Sequence, residues 1–174
     1  MRLGVDEVGV TELMGITEHM QCLSVLAASL LLESLGDEVA LVPLVDVAEA
    51  GAPVKLLLDE IRTTLTATLG TEGGIPALWR AIARNPHYLE STWRKDQVVM
   101  RDGALVARDK RRVALGIAMN ARCRYMIEYN TAILRRAGDA DEDLLEILGV
   151  VDHYNCLNML SDGMQLTSDI RPPS

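Results

Sequence analysis

Apolar residues recur at spacings of three and four along nearly the whole chain, and strict alternation of apolar and polar positions is almost absent. That periodicity predicts an all-α protein. A first helix is expected from Thr11, which can cap it, through Met14, Leu23 and Leu26 to about Leu35, where Gly36 offers a left-handed stop. Between Asp37 and Ala52 the pattern weakens. Pro43 and the acidic residues that follow favour a loop or short helix over a strand at 39–47. Pro53 suits the first turn of a second helix, in which Val54, Leu57, Ile61, Leu65 and Leu69 form one apolar stripe, and Gly70, Gly73 and Gly74 end it.

Pro76 then opens a short helix to about Arg84, and Asn85-Pro86 marks a break before a helix carrying Tyr88, Leu89, Trp93 and Val99. The stretch 108–120 reads as a buried helix because Val113, Ala114, Ile117 and Ala118 are small or apolar. Another should start near Arg122 and end before Gly138, and Asp139 or Asp141 can cap a last long helix running through Leu160. One domain over 1–174 is expected, with an N-terminal helical region at 1–74, a core at 75–166 and a frayed tail at 167–174 that ends in Pro172-Pro173-Ser174.

Composition narrows the function classes. With 174 residues, 49% of them apolar, the chain can bury a full core without disulfides or metal. Phe is absent and aromatics make up 3%, so the core must be aliphatic, which favours helices over a sandwich of strands. A net charge of −8 argues against nucleic acid or an anionic membrane as partner, since both need clustered Lys and Arg. The longest nearly apolar run, Leu23 to Leu32, is too short to span a bilayer. No basic region followed by a hydrophobic stretch opens the chain, so no secretory signal is expected. Cys22, Cys123 and Cys156 are an odd set without framework spacing, which suits reduced thiols and a cytoplasmic location.

Two segments match without a gap over sixteen positions: ELMGITEHMQCLSVLA from Glu12 and EILGVVDHYNCLNMLS from Glu146. His19 pairs with His153, Cys22 with Cys156 and Leu23 with Leu157. The two His-x-x-Cys faces, His19/Cys22 and His153/Cys156, offer a tetrahedral zinc four ligands in principle. Helix-helix packing of small and amphipathic residues explains the same pattern without a metal, and no cofactor is expected.

From Ile75 to Leu160 the chain resembles the carboxymuconolactone decarboxylase and alkylhydroperoxidase D superfamily. The similarity runs through IPALWRAIARNPHYLE, ARDKRRVALGIAMNARCRYMIEYN and DEDLLEILGVVDHYNCLNML. The resemblance implies a helical bundle, often trimeric or hexameric. In the peroxidase branch it also implies a Glu, a Cys-x-x-Cys and a His four residues after the second Cys, which together reduce a hydroperoxide through a thiolate, a resolving thiol and a proton relay. Here Cys123 matches the first Cys, Met126 stands at the second, Asn130 at the His and Arg111 at the Glu. A thioether forms no disulfide, an amide shuttles no proton at neutral pH and a guanidinium is no base.

Cys123 is left as the candidate reactive group, flanked by Arg122 and Arg124 near a helix start, where positive charge and the helix dipole would favour a thiolate. One reading is a one-cysteine peroxidase acting on a small organic hydroperoxide, resolved by an external thiol or by Cys22 or Cys156. Another is a buried Cys that only packs. If the last helix packs on the motif helix, Tyr125, Met126, Asn130, His153, Tyr154 and Asn158 line one interior. Tyr125 or His153 could then serve as acid or base on a small organic acid held by Arg111 or Arg124, as in a decarboxylase or lyase. A third reading is a catalytically silent ligand-binding protein. In each case a homo-oligomer, whether dimer, trimer or hexamer, is expected.

Overall fold

The computed structural model of the protein describes residues 6–32, 40–70 and 74–167. Seven helices and no strand occupy those residues: α1 (Glu7–Ser29), α2 (Ala52–Leu69), α3 (Ala77–Ile82), α4 (Pro86–Val99), α5 (Ala107–Asn120), α6 (Arg124–Arg136) and α7 (Asp141–Gly163). The all-α expectation holds, and most ends fall within a turn of their predicted places. α1 is an exception at both ends. Asp6, not Thr11, caps it, accepting the Gly9 N–H at 2.8 Å, while the Thr11 hydroxyl turns back to the Glu7 carbonyl. The helix stops at Ser29, and Leu31 already takes a positive φ of 57°. The stop expected at Gly36 and the tail at 168–174 lie outside the described residues. At α2 the left-handed residue is Gly70 itself, with φ 66°.

α1, α5 and α6 form the centre, and α2, α3 and α4 close it from one side. Ile16, Met20 and Leu23 of α1 meet Leu58, Ile61 and Leu65 of α2, and Tyr125, Met126, Tyr129 and Ile133 of α6, in one continuous cluster. Without Phe, the bulk comes from two tyrosines and two tryptophans. Trp79 and Trp93 pack edge to face with centroids 5.2 Å apart. Ala114 and Ala118 give α5 a thin side toward this cluster. On its other side Gly116 lets α7 approach: a Cβ there would meet Val151 at 3.4 Å and Ile147 at 3.8 Å.

Charged groups enter this interior and each is matched. Lys110, 2% exposed, donates to the Val99 carbonyl at 3.1 Å and lies 3.2 Å from Glu12. Glu12 also accepts the Leu105 and Ala104 N–H groups, and these two bonds hold its carboxyl below the usual value. Asp96 belongs to the site described below. Asp139, expected to cap α7, is instead buried beneath Arg108 and Arg112, and α7 is started by Asp143, which accepts the Ala140 N–H at 2.8 Å. An acid next to two arginines across the α6–α7 turn gains more from them than from one backbone amide.

Burial opposes ionisation of Asp139, yet the hydrogen bonds from Arg112 and Arg108 outweigh it and hold its carboxyl below the ordinary value of 3.8. A depressed pKa adds stability above the unfolded value, lost as pH falls through the folded one. Asp139→Asn should therefore cost about 2 kcal/mol near neutral pH. The gap to wild type should narrow as pH drops below 3.8. Urea unfolding at several pH values checks both; a gap that does not change with pH would contradict the assignment.

Candidate functional site

The residues that carry the family comparison meet where α5 turns into α6. Arg122 takes a left-handed φ of 53°, the Cys123 N–H closes α5 on the Ala118 carbonyl at 3.1 Å, and the Cys123 carbonyl receives the Ile127 N–H to start α6. Cys123 is thus the N-cap residue of α6, with its thiol buried in the core cluster. The flanking arginines do not share that burial. Arg122 and Arg124 are exposed, and Arg124 reaches Glu128 at 2.9 Å. Tyr125 and Met126 are fully buried. The Tyr125 hydroxyl accepts the Leu78 N–H at 3.1 Å, and burial, the dominant cause, pushes its ionisation far above the ordinary value.

One turn further, Asn130 is completely enclosed. Its Nδ2 donates to the Met126 carbonyl at 2.8 Å, and its Oδ1 accepts from Arg111 Nη1 at 3.4 Å. Positions 111 and 130, which the resemblance sets against an acid and a base, are here a guanidinium and an amide in contact. A cation placed in a core demands a counter-charge. Asp96 of α4 supplies it: Oδ2 lies 3.8 Å from Arg111 Nη2, and Oδ1 lies 3.1 Å from His19 Nε2 on α1. The result is a largely buried chain, His19–Asp96–Arg111–Asn130, that links four helices. Arg111 also sits over the Tyr129 ring, 5.9 Å from its centroid.

Beside this chain, the Tyr129 hydroxyl and the Trp79 indole nitrogen are buried without a hydrogen-bond partner among the described residues. The two groups are neighbours, and the indole N–H offsets a small part of the burial effect on Tyr129 without forming a hydrogen bond. Burial raises the Tyr129 ionisation far above its usual value, against the opposing pull of Arg111, so its O–H remains a donor.

Of the residues singled out from sequence, Cys123, Tyr125, Met126, Asn130 and Arg111 come together. The other three do not join them. His153, Tyr154 and Asn158 lie on an exposed part of α7, because α7 packs on α5 through Ile147 and Val151 at Gly116 rather than along α6. His153 and Tyr154 only contact each other, ring edge to ring face at 5.7 Å. The four zinc candidates separate as well. His19 is bound to Asp96 inside the core, Cys22 faces outward on α1 beside Tyr88, and Cys156 is exposed. Among the described residues no group of three or more His, Cys, Asp or Glu side chains is placed to hold a metal. No helix among them is long and apolar enough to cross a membrane.

The role of His19 as partner of a buried acid, and Asp96 itself, were not foreseen. A signal existed: His19 lies on the stripe Ile16–His19–Met20–Leu23, and Asp96 continues the buried face Leu89–Thr92–Trp93 of α4. Titratable groups in line with an apolar face are candidates for mutual burial.

Comparison with known proteins agrees with this geometry. The model of the carboxymuconolactone decarboxylase family matches residues 86–169. The crystal structure of an alkylhydroperoxidase AhpD core from Rhodospirillum rubrum ATCC 11170 superposes with a TM-score of 0.66 at 28% identity, covering 75% of this chain and 94% of that one. No curated protein matches. Family pattern and helical architecture coincide: residues 86–169 carry the carboxymuconolactone decarboxylase family pattern within an all-α fold of the alkylhydroperoxidase D type.

Proposed function

We propose that this chain is an alkylhydroperoxidase D-like protein without the dithiol peroxidase cycle, its thiol chemistry reduced to a residual reaction of Cys123 alone. The contact between Arg111 and Asn130 carries this reading. Where the cycle requires a proton relay, the chain has a charge-compensated pair held by Asp96 and His19, and Met126 offers no second thiol. In the residual reaction the Cys123 thiolate takes the terminal oxygen of a hydroperoxide and the O–O bond breaks. The alkoxide leaves and takes a proton from water. Two external thiols then return the sulfenic acid to the thiol, releasing water and their own disulfide. Without a positioned base such a step forgoes about 100-fold or more in rate.

A second reading is favoured by the Tyr129 and Trp79 donors next to Arg111. Two donors without acceptors beside a guanidinium suit the carboxylate of a small organic acid, bound or processed without redox chemistry.

The two are separated by incubating the protein with cumene hydroperoxide, with and without excess dithiothreitol. The expected outcome is slow consumption that Cys123→Ser abolishes, a Cys123 sulfenate trapped by dimedone, and no disulfide within the chain. Rapid turnover with such a disulfide would overturn the proposal, and consumption unchanged in Cys123→Ser would remove thiol chemistry altogether.

The two tyrosines of α6 should respond in opposite ways. Tyr125→Phe strands the buried Leu78 N–H and should cost about 1–3 kcal/mol. Tyr129→Phe removes a hydroxyl without a bonded partner and should be neutral or stabilising by about 1 kcal/mol. Thermal unfolding of both variants measures the contrast; equal losses would mean that the Tyr129 hydroxyl has an acceptor after all.

A further inference from the structure

The two orphaned donors beside Arg111 pose a question of charge as well as of hydrogen bonding. Trp79 is wholly enclosed and Tyr129 nearly so, and neither the indole N–H nor the hydroxyl has an acceptor among the described residues. Tyr129 joins the three groups: its hydroxyl neighbours the indole, and its ring lies under the Arg111 guanidinium. An indole can only donate, so what suits it is an acceptor, and a carboxylate offers two acceptor oxygens and no proton.

Arg111 has reach to spare for such a group. Its contacts, 3.4 Å to Asn130 and 3.8 Å to Asp96, are longer than the roughly 2.7–2.9 Å of a tight charge-assisted bond. Its side chain is 12% exposed against 3% for Asp96, so a ligand from solvent meets the guanidinium first.

Charge then decides what must accompany the ligand. Asp96 and Arg111 cancel, and a neutral His19 imidazole, with Nε2 3.1 Å from Asp96 Oδ1, completes the balance. A carboxylate added beside Arg111 leaves one negative charge uncompensated in the core, which is costly. One proton removes it. The helices packed on α1 bring Asp96 and Lys95 from α4, Arg111 and Lys110 from α5, and Cys123, Tyr125 and Tyr129 from α6. Glu18 and Glu12 of α1 hold the two lysines. Among all these side chains, imidazole is the type that ordinarily changes charge between pH 5 and 8. Protonated, His19 becomes the counter-ion of Asp96 and leaves Arg111 to the ligand, so that two ion pairs replace one.

We infer that Arg111, Tyr129 and Trp79 bind a small monocarboxylate together with one proton, which His19 holds. The inference rests on the carboxylate reading of this site and adds its coupling to pH. Formate is the probe, because enclosure of both donors limits a ligand to a few heavy atoms. Nitrogen-15 NMR at mildly alkaline pH follows the indole nitrogens and the rings of His19, His87 and His153 as formate is added. The Trp79 N–H should move downfield while His19 alone turns from imidazole to imidazolium. Formate affinity should fall about tenfold for each unit of pH above neutrality. Tyr129→Phe, which loses no hydrogen bond within the described chain, should weaken formate about tenfold. Silence at both nitrogens would overturn the carboxylate reading and this inference together. A responding indole with His19 unchanged in charge, and an affinity independent of pH, would leave that reading standing and overturn the coupling. Undiminished affinity in Tyr129→Phe would place formate elsewhere and overturn it as well.

Discussion

The cation at position 111 organises the interior. A guanidinium on the inner side of α5 cannot be left in an apolar core, since the cost of an unpaired buried charge exceeds what any single packing contact returns. Asp96 must therefore turn inward from α4, and its second oxygen in turn draws His19 from α1. Asn130 accepts the remaining reach of Arg111 from α6. Four helices are tied by one chain of polar contacts, and their relative positions are set by it as much as by the aliphatic cluster around it. The same contacts occupy both oxygens of Asp96, one toward Arg111 and one toward His19, so the carboxylate serves as a counter-charge within the core.

Much of this was legible in the amino-acid order, and the rest was hidden for definable reasons. The helices could be placed because Gly70, Asn85-Pro86 and the apolar stripes act locally, through φ preferences and capping. Cys123, Met126, Asn130 and Arg111 could be grouped because a family pattern puts them in register. His153, Tyr154 and Asn158 were wrongly placed beside them. Their own helix is right, but which neighbour α7 packs against depends on Gly116, whose missing side chain opens α5 to Val151 and Ile147. Asp139 shows the same limit. Its position suits an N-cap, and only the fold reveals that Arg108 and Arg112, some thirty residues earlier, compete for it. Long-range electrostatics leaves no periodic trace.

The repeat makes the limit sharper. The same ungapped sixteen-residue pattern gives the buried face of α1 and the bare face of α7. Composition and spacing therefore specify that a face wants cover, and not which surface supplies it. His19 and His153 illustrate the consequence for chemistry: the first is fixed by Asp96 in a dry core, the second meets only Tyr154 and solvent. Identical residue types at identical spacing thus acquire different roles from their surroundings alone.

The same reasoning applies to Cys123. In a Cys-x-x-Cys motif the first thiol is defined by its partner, and here the partner is a thioether. What the position still requires is set by the joint it occupies, where its N–H closes one helix, its carbonyl opens the next and Arg122 before it is left-handed. The side chain must be small and must tolerate burial among Ala118, Tyr125 and Met126, and a thiol meets both conditions as a compact hydrophobe. A cysteine at this point is therefore explained by packing before any chemistry is invoked.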